Sequence, residues 1–182
     1  MPRDPALRPQ DSHQDRDQSR MPNRSPSTGD PVPAFDLPTL DDRVSDSTLA
    51  GRAYVVYFYP KDDTPGCTKE AISFTQHGSA FDALGVTVIG VSKDSLAKHA
   101  KFRDKHELGV VLASDEDGAA CEAFGVWVEK SMYGRKYMGI ERSTFLVDQA
   151  GRIAEAWRKV KVPGHVEAVL AAAGERLGKA GS

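Results

Sequence analysis

Cysteine is scarce in this sequence, with two thiols, Cys67 and Cys121, among 182 residues. Two are too few for a disulfide framework, and without a CxxC pair or a Cys/His cluster they offer no zinc site. Long apolar runs are missing too: 40% of the residues are hydrophobic, yet no stretch is long enough to cross a bilayer. Charge of one sign is also lacking. The formal net charge is −2, so nothing global draws the chain to nucleic acid or to an anionic membrane. No internal repeat is visible. These absences leave one domain with a substantial core, no metal and no cofactor signature.

Residues 1–30 are polar, with Asp and Arg interleaved and almost no large apolar side chains. The apolar stretch that a secretory signal requires is absent, so the expected location is the cytoplasm. Such a composition cannot bury enough surface to offset ordering entropy, and residues 1–30 are read as a disordered tail preceding a domain at 31–178. Met21 lies inside that tail and is read as an alternative start, with the first 20 residues dispensable.

Short edge strands are expected at Ala34–Leu37 and around Ser47–Leu49. Tyr54–Tyr59 is a run of β-formers without polar alternation, which suits a central strand buried on both faces. Pro60 ends it, and Lys61–Gly66 is turn chemistry. A helix follows from Cys67, with Ala71, Phe74, Gly78 and Phe81 on one face. Val86–Val91 is the next strand, Asp94 or Ser95 caps a helix reaching His106, and Val110–Leu112 is another strand. A short helix carries Ala120, Cys121 and Phe124, ending near Gly125. Residues 128–140 are read as a basic loop, Ser143–Val147 and Arg152–Trp157 as a hairpin, and the chain after Pro163-Gly164 as a final helix. This β-α-β-α-β-α-β-β-α order predicts an α/β fold, a mixed central sheet with helices on both faces, compatible with a thioredoxin-like architecture.

The chemistry concentrates in Pro60-Lys61-Asp62-Asp63-Thr64-Pro65-Gly66-Cys67. A strand stops, a loop turns and a helix opens at the cysteine. Unpaired N–H groups in a first helical turn favour an anion, here a thiolate at Cys67. Thr64 is within hydroxyl reach of that sulfur, and Gly66 removes a Cβ that would keep a ligand from the backbone. A cysteine at a random position is more often a small buried hydrophobe than a nucleophile, so on position alone both readings stand.

The string Tyr59-Pro60 to Thr64-Pro65-Gly66-Cys67-Thr68 resembles the PxxxTxxC signature of peroxiredoxins. Glu141–Asp148, Trp127–Lys130 and Tyr133–Tyr137 are similar to the bacterioferritin-comigratory-protein, or peroxiredoxin Q, branch, and the resemblance spans residues 31–178. It implies a thiol peroxidase acting on hydrogen peroxide and organic hydroperoxides, in which Cys67 becomes a sulfenic acid that thioredoxin or a low-molecular-weight thiol reduces. It implies that Thr64 hydrogen-bonds the sulfur and the peroxide, that Pro60 shields the pocket, and that Arg142 pairs with the thiolate. A monomer is expected. Ionisation contributes the smaller share of the acceleration, since a free thiol of pKa about 8.5 is already a few per cent thiolate near neutrality. Alignment and charge stabilisation must supply most of it.

The sequence departs from the branch where many members carry a resolving cysteine. Ile72 stands five residues after Cys67, and residues 94–107 contain no cysteine. Cys121 is the remaining candidate, and its spacing to Phe124 suggests a buried structural thiol. A one-cysteine cycle is therefore expected. A redox sensor that holds its oxidised state is the competing reading. Asp115-Glu116-Asp117-Gly118 is read as a helix-capping turn, and His77, His99 and His106 as residues of solvated helix faces.

Overall fold

A computed structural model describes residues 25–177. The expected start at Met21 lies outside the described residues. In chain order the elements are β1 (Asp36–Pro38), β2 (Arg43–Ser45), β3 (Ala53–Phe58), α1 (Pro65–Gln76), α2 (Gly78–Ala83), β4 (Val86–Ser92), α3 (Leu96–His106), β5 (Val111–Ser114), α4 (Ala119–Ala123), β6 (Trp127–Met132), β7 (Arg135–Ile140), β8 (Ser143–Val147), β9 (Ile153–Trp157) and α5 (His165–Leu177). No helix among the described residues is long and apolar enough to cross a membrane.

The central strand β3 is buried along its whole length, as a run without polar alternation demands. It pairs in parallel with β4 and antiparallel with β8, inside a five-stranded sheet of order β5-β4-β3-β8-β9. Its side chains alternate between two cores. Val55 and Tyr57, with Tyr59 just beyond the strand, meet Cys67, Ala71 and Phe74 of α1, Phe102 of α3 and Val166, Val169 and Ala173 of α5. Tyr54, Val56 and Phe58 face the other way, toward α4, the β1–β2 hairpin and Phe124. Phe124 is the hub there, with ring centroids 4.9 Å from Phe58, 5.2 Å from Phe145 and 5.9 Å from Phe35. Each such aromatic pair adds about 0.5–1.5 kcal/mol beyond its buried area.

Several elements differ from the sequence expectation. The first edge strand runs Asp36–Pro38, and the second is Arg43–Ser45, with residues 47–49 forming the turn after it. The single helix expected from Cys67 begins at Pro65 and breaks at His77 into α1 and α2. Ala71, Phe74 and Phe81 still pack into one core across the break. Residues 128–140 form a β-hairpin instead of a loop: β6 and β7 pair from Trp127↔Ile140 to Met132↔Arg135. Its turn residues Tyr133 and Gly134 both have positive φ, 53° and 79°, the geometry that matches the right-handed twist of two-residue hairpins. Residues 25–30, assigned to the tail from sequence, are tied to the domain. Gly29 N–H donates to the Ile153 carbonyl, Ile153 N–H to the Asp30 carbonyl, and Ser25 Oγ to the Phe124 carbonyl.

The capping turn at 115–118 matches expectation. Asp115 accepts from the N–H groups of Ala120 and Cys121 at 3.0 and 2.8 Å, and Asp117 from Ala119. No group of side chains suited to a metal ion occurs among the described residues. His99 is a correction: it is fully buried, because its helix face packs on the sheet through His99 and Phe102. Both its ring nitrogens find partners inside the protein, on Asp62 and Ala113.

Candidate active site

Cys67 lies in the first turn of α1, whose N-cap is Thr64 and whose first residue is Pro65. Proline suits that position, since its missing N–H would have no partner there and its φ is already helical. The thiol is free and 1% exposed. Glu70 is three residues on, hence on the same helical face, and it too is buried.

Arg142 joins them. It directly precedes β8, whose first residue Ser143 lies opposite Phe58, so the arginine stands beside the C-terminal end of β3 where the chain enters the cysteine loop. Its Nη1 donates to Glu70 Oε1 at 2.7 Å and its Nη2 to Cys67 Sγ at 3.4 Å. A planar fork spanning a carboxylate and a sulfur has its direction set by two bonds. Gly66 makes room for it, since a Cβ there would sit 3.2 Å from Arg142 Nη2. The sequence alone points to a ligand in that space; the guanidinium occupies it.

The Thr64 hydroxyl donates to the Lys61 carbonyl at 2.8 Å, not to the sulfur. Its proton is engaged in holding the loop, and its oxygen lone pairs remain available to an incoming O–H. Pro60 is exposed and borders a cavity of about 370 Å³ lined also by Trp127, Lys130, Tyr137 and Ile140, a lining that does not include Cys67, Thr64 or Arg142.

Burial controls the electrostatics. It pushes the Glu70 carboxyl up to about 7 against the pull of Arg142, and it leaves Oε2 without a partner. Tyr57 below the site also has an unpartnered hydroxyl, and burial followed by the Glu70 charge raises its pKa well above the ordinary value. Burial and then the Arg142 charge lower Lys130. His165 is pushed down to about 4 by burial and secondarily by Arg142, and its Nε2 meets Thr144 Oγ1 at 2.8 Å. It is therefore neutral at physiological pH.

Cys121 is not part of this site. It is fully buried, its thiol pushed far up by burial and by Asp115, and it belongs to the core on the opposite face of the sheet from Cys67. A disulfide needs Cα atoms within about 7 Å, which a sheet between the two side chains does not permit without dismantling a layer.

Sequence reasoning thus names Cys67, Thr64, Pro60 and Arg142 and misses Glu70. The i, i+3 spacing from Cys67 was the available signal, but on an amphipathic helix a glutamate normally marks the solvated face.

The family model described as "AhpC/TSA family" matches residues 28–156. The chain is 51% identical over 124 residues to Peroxiredoxin Bcp of Bacillus subtilis, covering 68% of this chain and 79% of that one. It is similar to a solved structure of Xanthomonas campestris peroxiredoxin Q, with a TM-score of 0.75 at 45% identity over 79% of this chain and 91% of the other. A second structure, concerned with alkyl peroxide reduction by the bacterioferritin comigratory protein of Xanthomonas campestris, matches with a TM-score of 0.74 at 45% identity, over 78% and 90%.

Proposed function

The chain belongs to the AhpC/TSA family of peroxiredoxins and is a thiol peroxidase, and from that premise we propose that it turns over by a one-cysteine cycle centred on Cys67. The Cys67 thiolate attacks one peroxide oxygen; the S–O bond forms as the O–O bond breaks, and the departing oxygen leaves as water or an alcohol once protonated. Arg142, with Nη2 directed at the sulfur, stabilises the thiolate and the charge passing to the leaving oxygen. The Thr64 oxygen accepts the peroxide O–H, and Pro60 limits water at the rim. Hydrogen peroxide and alkyl hydroperoxides are both substrates in this reading, the second supported by the alkyl peroxide reduction attributed to the Xanthomonas relative.

The observation that carries the one-cysteine reading is the assignment of Cys67 and Cys121 to opposite cores. The sulfenic acid is then reduced by an external thiol, thioredoxin or a low-molecular-weight thiol. The first thiol condenses with it to a mixed disulfide and water, and a second releases Cys67. We place the protein in the cytoplasm, as a monomer. The test is steady-state peroxide consumption with several reductants, alongside non-reducing mass spectrometry of oxidised protein. Sustained turnover lost in Cys67→Ser, with no Cys67–Cys121 disulfide, is expected. That disulfide in peroxide-treated protein overturns the cycle, and a single stoichiometric oxidation with every donor favours the sensor.

A further inference from the structure

Two adjacent aspartates in the loop before α1 reach α3 by different routes. Asp63 is exposed, and its carboxylate meets Lys105 Nζ and His106 Nε2, each at 2.9 Å. Water screens such contacts and leaves them weak. Asp62 is buried, and its carboxylate is held by two contacts of 2.6 Å: the Tyr59 hydroxyl donates to Oδ1, and His99 Nδ1 meets Oδ2. The other nitrogen of His99, Nε2, lies 3.0 Å from the Ala113 carbonyl on β5. A carbonyl can only accept, so Nε2 carries a proton, and a second proton sits in the short Nδ1···Oδ2 contact.

The backbone of Asp62 is fixed as well. Its N–H donates to Asp94 Oδ2 at 2.8 Å, and that oxygen also accepts from Ser92 Oγ at 2.7 Å. Ser92 ends β4, Ala113 is on β5 and His99 is on α3. One buried residue thus anchors the loop to three rigid elements. Asp62 stands midway between Pro60 and Thr64, the two loop residues assigned to the peroxide pocket.

We propose that His99, acting through Asp62, is the positioning residue that fixes the Pro60–Thr64 loop over Cys67 and so aligns the peroxide for attack. The role rests on the reading of Cys67 as the peroxide nucleophile. Apolar side chains of equal volume would fill the same space, but they would not fix a direction; two short charge-assisted bonds to one carboxylate do. Direction is what an in-line attack on an O–O bond requires, and a displacement of about 1 Å can slow a reaction roughly 10²-fold.

The test measures, on the full chain, the second-order rate of Cys67 oxidation by hydrogen peroxide and the rate of its alkylation by iodoacetamide. Alkylation needs an accessible thiolate but no aligned O–O bond. His99→Leu is expected to slow peroxide oxidation by about 10- to 100-fold while alkylation is unchanged or faster. His99→Asn, which returns an N–H toward Asp62, should recover part of the loss, and Lys105→Ala should react as wild type. Wild-type peroxide rates in folded His99→Leu, or equal losses in both reactions, overturn the proposal. Should His99→Leu fail to fold, Tyr59→Phe decides, since it removes only one of the two short bonds. A peroxide rate lowered about threefold or more with alkylation retained supports the role, and a wild-type peroxide rate sinks it. Undiminished peroxide consumption in Cys67→Ser would instead overturn the nucleophile assignment, and this role with it.

Discussion

Glu70 and Arg142 meet inside the protein at 2.7 Å, and the same guanidinium reaches the Cys67 sulfur at 3.4 Å. The carboxylate aims the donor, and the donor meets the nucleophile. A lysine could supply the charge, but not from the two separated nitrogens of a rigid planar fork. Arg142→Lys is therefore expected to slow Cys67 oxidation by about 10²-fold, comparable to the loss of one preorganised donor. Stopped-flow oxidation by hydrogen peroxide measures it, and a rate within about twofold of wild type would show that charge alone suffices.

Glu70 and His165 act in opposite senses on stability over nearly the same pH range. Glu70 is raised by burial from 4.5 to about 7, so its contribution is complete below pH 4.5 and is lost as pH rises toward 7. His165 is lowered from 6.5 to about 4, so its contribution is present above pH 6.5 and is lost as pH falls toward 4. Relative to wild type, Glu70→Gln should gain stability as pH rises from 4.5 to 7, and His165→Gln should gain as pH falls from 6.5 to 4. Urea unfolding across pH 4–7.5, about the span of these two titrations, reads both trends.

Gly90 is opposite Tyr57 in the β3–β4 register, and a Cβ there would lie 2.7 Å from the ring's Cζ and 2.8 Å from its hydroxyl. The ring cannot retreat, because it stacks on Phe74 with centroids 4.5 Å apart. Gly90→Ala should destabilise the protein by about 1–3 kcal/mol through overpacking. It should also disturb the Cys67 side of the sheet, since Tyr57 and Phe74 share that core. A thermal melt with an unchanged midpoint would count against this.

Cys121→Ala should leave peroxide turnover unchanged and lower stability by about 1 kcal/mol, because a buried side chain is shortened in a close-packed core. Turnover with the same external thiol, followed by urea unfolding, separates the two effects. A loss of turnover in folded protein would show that Cys121 takes part in recycling.

The central strand, the alternation of strands and helices, and the cysteine at a turn–helix junction were all legible in the residues alone. Those features follow from local rules: an unbroken β-forming run, Gly/Pro punctuation and the unpaired N–H groups of a first turn. The β6–β7 hairpin escaped that reading because its side chains are mostly exposed, Met132, Tyr133, Tyr137 and Met138 among them, so burial imposes no apolar period. What surrounds Cys67 depends on the folded chain. Arg142 is 75 residues away in sequence, and His99 is 37 from Asp62. Such pairs form when sheet register and helix packing bring distant segments together. The sequence reads His99 as part of a solvated helix face and says nothing of Glu70, and packing buries both. The burial of Cys121 was decided in the same way, by which side of β3 its helix covers.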